Sequence, residues 1–312
     1  MSTLVTGGAG FIGSHLCEQL IKKNKTVICL DNLSLGSKKN IQHLLNNKLF
    51  IFKEGDVLDK ELMKQLCQQY SVKTLYHFAA NSDIQAGGNN LNIDLDNTFQ
   101  TTINCLDCIQ KYGVEQFIFA SSSAVYGDYG ALITEESGPC RPISFYGAAK
   151  LASEHYIHAM LEQCSFKAWI IRFPNVVGKR LTHGVIYDFI NKLHKNPNEL
   201  EILGDGNQCK PYMIVDDLLN GIFLAQKKLN DPFNVINLGV DTATTVTHIA
   251  TLLINYMNLK NVNITYTGGR IGWTGDVANF KYDLTKMNQL GWQPTLTSDQ
   301  SVQHCIKEEL KL

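Results

Sequence analysis

The stretch TGGAGFIGSH, residues 6–15, follows a short apolar run and precedes a segment with the apolar spacing of a helix. Gly7, Gly10 and Gly13 recur at every third position, and Gly8, Gly10 and Gly13 also satisfy the pattern GxGxxG. Between a strand and a helix, this pattern binds the pyrophosphate of a dinucleotide, because glycine allows close approach and the first helical N–H groups attract negative charge. The predicted cofactor contacts here are Gly7, Gly10, Phe11, Ile12 and Gly13.

Polar and small residues at the ends of the next three apolar runs extend this predicted site. Asp31 ends the run TVICLD, about 20 residues beyond the glycines, where a carboxylate accepts hydrogen bonds from the ribose hydroxyls of adenosine. Its charge would repel a 2′-phosphate, which favours NAD over NADP. A carboxylate after the third run can meet the adenine amino group, and small residues after the fourth let the backbone approach the cofactor. The further predicted contacts are Asn32, Asp56, Val57, Phe78, Ala79 and Ala80.

Short, continuous apolar runs alternate with helical patterns as far as residue 174. Such runs are typical of parallel strands covered by helices on both faces. They predict an α/β fold: a Rossmann-type doubly wound parallel sheet over residues 1–174, which binds NAD. Residues 175–312 predict a smaller, mixed α/β substrate domain, from which some of the chain can return to the first. The predicted strands contain the runs TLVTG, TVICLD, LFIFKEGD, VKTLYHFAA, EQFIFASSS and KAWIIRFP.

The balance of positive and negative residues limits the classes of binding partner that the protein is expected to have. The 312 residues include 28 Lys and Arg against 29 Asp and Glu, so no net field draws the protein to nucleic acid or to an anionic membrane. The sequence shows neither a basic-then-apolar leader nor an apolar run near the roughly 20 residues that span a bilayer. We therefore expect a cytoplasmic protein with no nucleic-acid or membrane partner.

The cysteines and histidines predict no metal centre. Nine cysteines are scattered along the chain, an odd number without the dense spacing of a disulfide framework. Cys105 and Cys108 form a CxxC pair, but no second pair stands near them to complete a zinc site. His155 and His158, three residues apart, lack a third ligand. We interpret these residues as structural.

The segment SFYGAAKLASEH, residues 144–155, places Tyr146 four residues before Lys150 at the predicted start of a helix. At this spacing the two side chains share a helix face, so the ammonium can favour the ionised form of the phenol. A tyrosine in this position can act as a base, although its ordinary pKa of about 10 is too high for that role.

Ten motifs in sequence order carry a family resemblance that spans nearly the whole chain. They are TGGAGFIG, DN at 31–32, GDV at 55–57, HFAA at 77–80, SSSAVYG at 121–127, YGAAK at 146–150, RFPNVVG at 172–178, GDGNQ at 204–208, VDD at 215–217 and NLG at 237–239. The chain resembles extended short-chain dehydrogenases/reductases, in the NAD-dependent epimerase/dehydratase family that acts on nucleotide sugars. The resemblance implies NAD as cofactor, a nucleotide sugar as substrate and a homodimer.

The resemblance also implies residue roles. Tyr146 would be the catalytic base, and Lys150 would lower its pKa and bind the nicotinamide ribose. Ser122 matches the catalytic hydroxyl that bonds the reacting sugar oxygen, and Ser123 beside it is the alternative. Pro174 matches a position beside the nicotinamide carboxamide.

The two residues that directly follow Ser122 distinguish the reactions of the family, which are dehydration, decarboxylation and epimerisation. Members of the family that dehydrate sugars carry Asp-Glu there, and decarboxylases carry a glutamate at the second position, whereas this chain has Ser123 and Ala124. Alanine cannot transfer a proton. An epimerase that inverts C4 needs only one base, one hydroxyl and a tightly held NAD. We therefore expect C4 epimerisation of a UDP-hexose through a transient 4-keto sugar.

The substrate contacts depart from the family pattern. Asn175 matches a residue that contacts the substrate diphosphate, but Lys210 and Pro211 replace the usual Arg-Asp pair after GDGNQ. Lysine meets a phosphate as a point charge without the bidentate fork of arginine. Trp273 stands where many relatives have another arginine, and Arg270 can supply that contact from elsewhere in the loop.

Two alternatives remain open from the sequence. One is a reductase or dehydrogenase of the same family, which takes hydride from external NADH or NADPH. Asp31 disfavours NADPH, although Lys38 and Lys39 lie close by in the sequence. The other is a nucleotide-sensing protein that keeps the fold without the chemistry, which an intact Ser122, Tyr146 and Lys150 disfavour.

Overall fold

The computed structural model describes residues 2–130, 132–273, 275–277 and 279–312. Its strands, in chain order, are β1 (Ser2–Thr6), β2 (Thr26–Asp31), β3 (Phe50–Glu54), β4 (Val72–His77), β5 (Gln116–Ala120), β6 (Leu132–Ile133), β7 (Lys167–Arg172), β8 (Asn175–Val177), β9 (Glu199–Ile202), β10 (Cys209–Lys210), β11 (Tyr212–Ile214), β12 (Phe233–Asn237), β13 (Thr244–Thr245), β14 (Asn263–Tyr266) and β15 (Lys281–Tyr282).

The α-helices connect and cover these strands. They are α1 (Phe11–Lys22), α2 (Lys38–Ile41), α3 (Lys60–Gln69), α4 (Ile84–Asn89), α5 (Leu91–Asp94), α6 (Thr101–Tyr112), α7 (Phe145–Met160), α8 (Val185–Lys195), α9 (Val215–Lys228), α10 (Val246–Tyr256), α11 (Thr285–Gln289) and α12 (Ser298–Leu310). A π-helical segment, Leu95–Gln100, joins α5 to α6. Within the described ranges, no helix is long and apolar enough to cross a membrane.

Seven parallel strands form the central sheet in the order β3, β2, β1, β4, β5, β7, β12. The chain moves outward from β1 to β3, then returns to the other side of β1 and continues through β4. This reversal between β1 and β4 opens a crevice at the carboxyl ends of the strands, where α/β sheets bind ligands. The predicted Rossmann-type doubly wound fold is confirmed, and each of the six predicted runs overlaps one of its strands.

Alternate residues of the strands build the two faces of the sheet. On one face, Val5, Cys29 and Ile171 pack with α1 and α9. On the other face, residues such as Leu4, Ile28 and Ile170 pack with α3, α6 and α7. Since both faces are covered, the strands are apolar at nearly every position.

The C-terminal part has its own core and also completes the sheet. Helices α8, α10 and α12 pack with β9 and β11 around buried residues such as Phe189, Leu253 and Val302. Strands β9 and β14 pair in parallel. After α9 the chain re-enters the central sheet as β12, which pairs with β7 along Phe233–Asn237. The boundary at residue 174 stays a prediction.

We predict that Gly13→Ala destabilises the fold, whereas Gly88→Ala does not. A Cβ atom at Gly13 would lie 2.1 Å from the carbonyl oxygen of Gly7, which is backbone and cannot move aside, whereas a Cβ at Gly88 meets no atom within 4 Å. We expect Gly13→Ala to cost roughly 3 kcal/mol and Gly88→Ala to be neutral or slightly stabilising. Urea denaturation of both variants measures this difference, and equal stabilities would contradict the close packing at Gly13.

Candidate active site

The glycine turn and the end of β4 are in direct backbone contact. Gly7 has a φ of +69°, and a Cβ atom there would lie 2.7 Å from the amide nitrogen of Ala79 and 2.8 Å from the carbonyl carbon of Phe78. The Gly7 amide also donates to the carbonyl of Leu30 at 2.9 Å. Only glycine fits this position, so the structure brings together the turn and the predicted contacts at Phe78, Ala79 and Ala80.

The amino end of α1 faces this turn without a side-chain cap from any described residue. Gly10 is the N-cap, and the helix begins at Phe11. The first-turn amides, at Phe11, Ile12 and Gly13, precede the helical hydrogen-bond ladder, which leaves them free to bind an anion. These free amides, beside a glycine-rich turn, fit the pyrophosphate of NAD.

Asp31 is fixed at the tip of β2. One of its oxygens, Oδ2, accepts from the amide of Ala9 at 2.9 Å, and Oδ1 accepts from the amide of Leu33 at 2.8 Å. Burial raises the pKa of Asp31, and these amides oppose that rise. The carboxylate is therefore held beside the glycine turn, as a contact to the adenosine ribose requires.

The predicted contacts after β2 and β3 are linked to each other. The side-chain amide of Asn32 donates to Asp56 Oδ2 at 2.8 Å. The backbone amide of Leu58 donates to Asp56 Oδ1, also at 2.8 Å. Val57 is buried, and its carbonyl accepts from Asn104 at 3.0 Å. The two loops thus form one continuous wall next to Asp31.

Ser122, Tyr146 and Lys150 converge where β5 ends and α7 begins. Ser144 caps α7 by accepting from the amide of Gly147 at 3.1 Å, which starts the helix just before Tyr146. Lys150 Nζ lies 5.6 Å from the centroid of the Tyr146 ring, so the two side chains share a helix face as predicted. The Ser122 hydroxyl lies beside the phenol and accepts from the amide of Ala124 at 3.1 Å.

The electrostatics of this trio differ from the sequence-based expectation. Burial raises the pKa of Tyr146 to about 12, although Ser122 lowers it. Burial also lowers the pKa of Lys150 to about 7, and its ammonium donates to the carbonyl of Ala120 at 2.6 Å. The expectation that Lys150 lowers the pKa of Tyr146 is therefore wrong, because burial has the largest effect on this phenol and raises its pKa.

A buried ion pair that the sequence analysis missed anchors this helix face to β7. Arg172, at the end of β7, donates to both carboxylate oxygens of Glu154, at 3.0 and 3.2 Å from Nε and 2.5 Å from Nη2. Ser121 also donates to Glu154. Glu154 follows Lys150 by four residues, as Lys150 follows Tyr146, and this spacing is a signal that the sequence did offer.

Residues just beyond Arg172 lie at the same edge of the sheet. Pro174 is buried, and Asn175 is exposed as the first residue of β8, which pairs with Tyr212. The amide of Ser123 donates to the carbonyl of Phe173 at 3.0 Å. The predicted nicotinamide and substrate contacts therefore adjoin the Ser122, Tyr146 and Lys150 trio.

The two predicted diphosphate-binding cations have acidic partners. Lys210 is buried, pairs with Asp276, and lies with its Nζ 4.8 Å from the Trp273 ring centroid. Arg270 is exposed and donates to Asp128 at 3.0 Å. The positive charge at these two positions is therefore compensated by carboxylates, and the substrate roles of Lys210 and Arg270 remain predictions.

Comparison with known proteins identifies the same family that the motifs suggested. Residues 3–239 match the model of the NAD dependent epimerase/dehydratase family. A crystal structure of a UDP-galactose 4-epimerase superposes with a TM-score of 0.88 at 34% identity, covering 100% of this chain and 99% of that one. The Thermotoga maritima UDP-glucose 4-epimerase, solved with UDP-glucose, gives a TM-score of 0.88 at 30% identity with the same coverage.

Relatives with a different reaction are also similar. The human dTDP-D-glucose 4,6-dehydratase is 29% identical over 317 residues, which cover 97% of this chain and 88% of the relative. The comparisons therefore leave epimerisation and dehydration to be distinguished by the site itself.

We predict that Lys150→Met stabilises the nucleotide-free protein at neutral and acidic pH. Burial lowers the pKa of Lys150 from 10.5 to about 7, so between these values the unfolded chain binds more protons, and wild-type stability rises as pH increases. Below pH 7 the buried ammonium destabilises the fold, and we expect Lys150→Met to gain about 2 kcal/mol there. Urea denaturation at pH 6.5 and 9.5 measures this.

The exposed Lys111 provides the matched control, because Lys111→Met should leave the stability nearly unchanged at both pH values. A Lys150→Met variant that is less stable than wild type at both pH values would contradict the cost assigned to the buried ammonium.

Proposed function

The chain belongs to the NAD-dependent epimerase/dehydratase family, a family of nucleotide-sugar enzymes, and on this premise we propose that it is a UDP-hexose 4-epimerase. Its cofactor is NAD. The observation that carries the proposal is the convergence of Ser122, Tyr146 and Lys150 beside two residues, Ser123 and Ala124, that offer no acid or base for the loss of water.

NAD, when bound, supplies the hydride acceptor and donor of the reaction. The chain's own residues handle the proton and the orientation. Tyr146 takes the proton of the C4 hydroxyl and later returns it, so one group serves both directions. Ser122 donates a hydrogen bond to the reacting sugar oxygen. Lys150 holds the nicotinamide ribose, and the hydrogen bond from Ser122 opposes the high pKa that burial gives Tyr146.

The C-terminal part supports a polar ligand on the substrate side. Within the described ranges, the buried Gln208 Oε1 and Trp273 Nε1 have no hydrogen-bond partner. Unpaired buried polar atoms are costly in a folded protein. Lys210 lies in this region, against Trp273. We propose that the nucleotide diphosphate binds here, where it competes with Asp276 for Lys210.

The proposal is tested by incubating the purified protein with UDP-glucose, UDP-galactose and their N-acetyl forms without added cofactor. We expect the two sugars of a C4 pair to interconvert. Chromatography and NMR of the sugar nucleotides measure this conversion. Conversion that requires and consumes added NADH or NADPH would establish the reductase alternative. Release of water with formation of a 4-keto-6-deoxy sugar would establish a dehydratase.

We predict that Tyr146→Phe reduces turnover at least about 1,000-fold while NAD remains bound. The phenol hydroxyl carries the proton, whereas the glycine turn and Asp31 that hold the cofactor are unchanged. The matched control is Tyr156→Phe, an exposed tyrosine of the same helix. Nucleotide released on denaturation measures bound NAD, and near wild-type turnover in Tyr146→Phe would refute the assignment.

We also propose a homodimer formed through the outer face of α5 to α7. Leu91, Leu95 and Tyr156 are exposed there, and the rings of Phe99 and Tyr156 meet edge to face at 5.0 Å. Exposed apolar side chains of this kind are typical of a subunit interface.

Leu95→Glu should therefore convert the dimer into monomers, because two copies of the buried charge would face each other across a two-fold axis. Leu45→Glu is the matched control, since Leu45 is 44% exposed and Leu95 is 47% exposed. Light scattering after size-exclusion chromatography gives the masses. A wild-type monomer, or a Leu95→Glu dimer, would refute this interface.

A further inference from the structure

Asp94, the last residue of α5, is a buried carboxyl group outside the trio and the predicted cofactor contacts. Only 1% of the residue is exposed. Its Oδ1 accepts from the side-chain amide of Asn81 at 3.0 Å and from the Thr98 hydroxyl at 3.4 Å. Its Oδ2 has no hydrogen-bond partner among the described residues, and a Cβ atom at Gly87 would lie 2.1 Å from it. A glycine at 87 thus leaves room for a carboxylate that is only half satisfied.

Lys150 is a buried amine whose direct hydrogen-bond partner carries no charge. It is 2% exposed, and its direct hydrogen bond is to a neutral group, the carbonyl of Ala120. Its Nζ also lies 4.8 Å from the centroid of the Phe119 ring. A buried ammonium in such surroundings gives up its proton unless a negative charge lies nearby.

Among the other ionisable groups around Lys150, Glu154 also raises the pKa of Lys150, but less than Asp94 does. Glu154 is one turn away, but its carboxylate already accepts from Arg172 and Ser121. His77, at the end of β4, is neutral, because burial and the Lys150 charge lower its pKa to about 3. Tyr146 is also neutral at physiological pH, since its pKa is about 12.

Asp94 is the larger source of negative charge for Lys150, and the electrostatic coupling between the two groups is mutual. Helices α4 and α5 pack against α7. Burial lowers the pKa of Lys150, whereas the Asp94 charge raises it. Burial raises the pKa of Asp94. The hydrogen bonds from Asn81 and Thr98 lower this pKa, and the Lys150 charge lowers it to a smaller extent. The charge of Asp83 has a still weaker effect in the opposite direction.

We propose that Asp94 is a positioning residue whose buried carboxylate favours the protonated form of the Lys150 amine in the active site. It acts through Lys150 by its charge, while Asn81 and Thr98 hold the carboxylate in place. The importance of this charge for turnover rests on the proposed epimerase function, but the protonation of Lys150 does not. The same carboxylate raises the pKa of Tyr146, so Asp94 maintains the ammonium at some expense to the phenolate.

Asp94→Asn tests the proposal in the NAD-bound protein, since it removes the charge and preserves the shape. In protein labelled biosynthetically with ¹³Cε-lysine, the Lys150 signal is assigned by its loss in Lys150→Met and followed against pH by NMR. We expect the titration midpoint of Lys150 to fall by about one pH unit in Asp94→Asn. The alkaline limb of kcat/KM should move to lower pH by a similar amount, because the ammonium is lost earlier.

Asp96→Asn is the matched control, because Asp96 lies two residues further on and is exposed. It should leave the Lys150 midpoint unchanged. An unchanged midpoint in Asp94→Asn would overturn the proposal, and a shifted midpoint with an unchanged alkaline limb would overturn its catalytic consequence. If wild type shows no epimerase activity, the NMR titration still decides whether Asp94 controls Lys150.

A variant that fails to fold does not leave the proposal untested. Asp94→Ala removes the same charge with a smaller side chain and should give the same shift. If neither variant folds, the wild-type Lys150 signal must show a second inflection in acid as Asp94 takes up its proton. A Lys150 signal without that inflection would overturn the proposal.

Discussion

The ion pair between Glu154 and Arg172 is the contact on which the reacting side of the molecule depends. Through Glu154 it fixes α7, which carries Tyr146 and Lys150. Through Arg172 it fixes the end of β7, and Nη1 of Arg172 continues to the Tyr126 hydroxyl at 2.9 Å. Losing one partner of a buried pair costs about 3–5 kcal/mol, since the other charge is then left uncompensated.

The network around this pair also joins the two parts of the chain. The Tyr126 hydroxyl donates to the side-chain oxygen Oδ1 of Asn237 at 2.8 Å, and the backbone amide of Asn237 donates to the Glu135 carboxylate at 2.9 Å. Asn237 ends β12, which the chain reaches only after its C-terminal excursion. The helix bearing the proposed base is thus tied to the sheet from both parts, and the geometry of the trio reflects the whole fold.

Local patterns made the sheet and much of the site predictable. Continuous apolar runs predict buried parallel strands. Glycines at 7, 10 and 13 predict a turn in which the backbone packs too closely to leave room for side chains at these positions. The four-residue spacing of Tyr146 and Lys150 requires a shared helix face. Each of these follows from a few neighbouring residues, so no knowledge of the tertiary structure was needed.

What could not be predicted depends on residues distant in sequence. Lys210 and Asp276 are 66 positions apart, and nothing near either one indicates their pairing. The high pKa of Tyr146 reflects the loss of solvent around its hydroxyl in the assembled protein, which a motif does not record. Asp94 lies in a polar stretch without recognisable periodicity, and its importance emerges only when α5 is placed against α7.

The late return of β12 to the sheet constrains how the protein is made. Strand β7 acquires its outer neighbour only when residues 233–237 have been synthesised, 61 positions after Arg172 ends β7. Until then a growing chain on the ribosome presents the unpaired edge of an apolar strand, a form prone to association with other chains. The nascent protein therefore passes through an interval in which its sheet is open on one side, and a molecular chaperone that covers this edge would act during that interval.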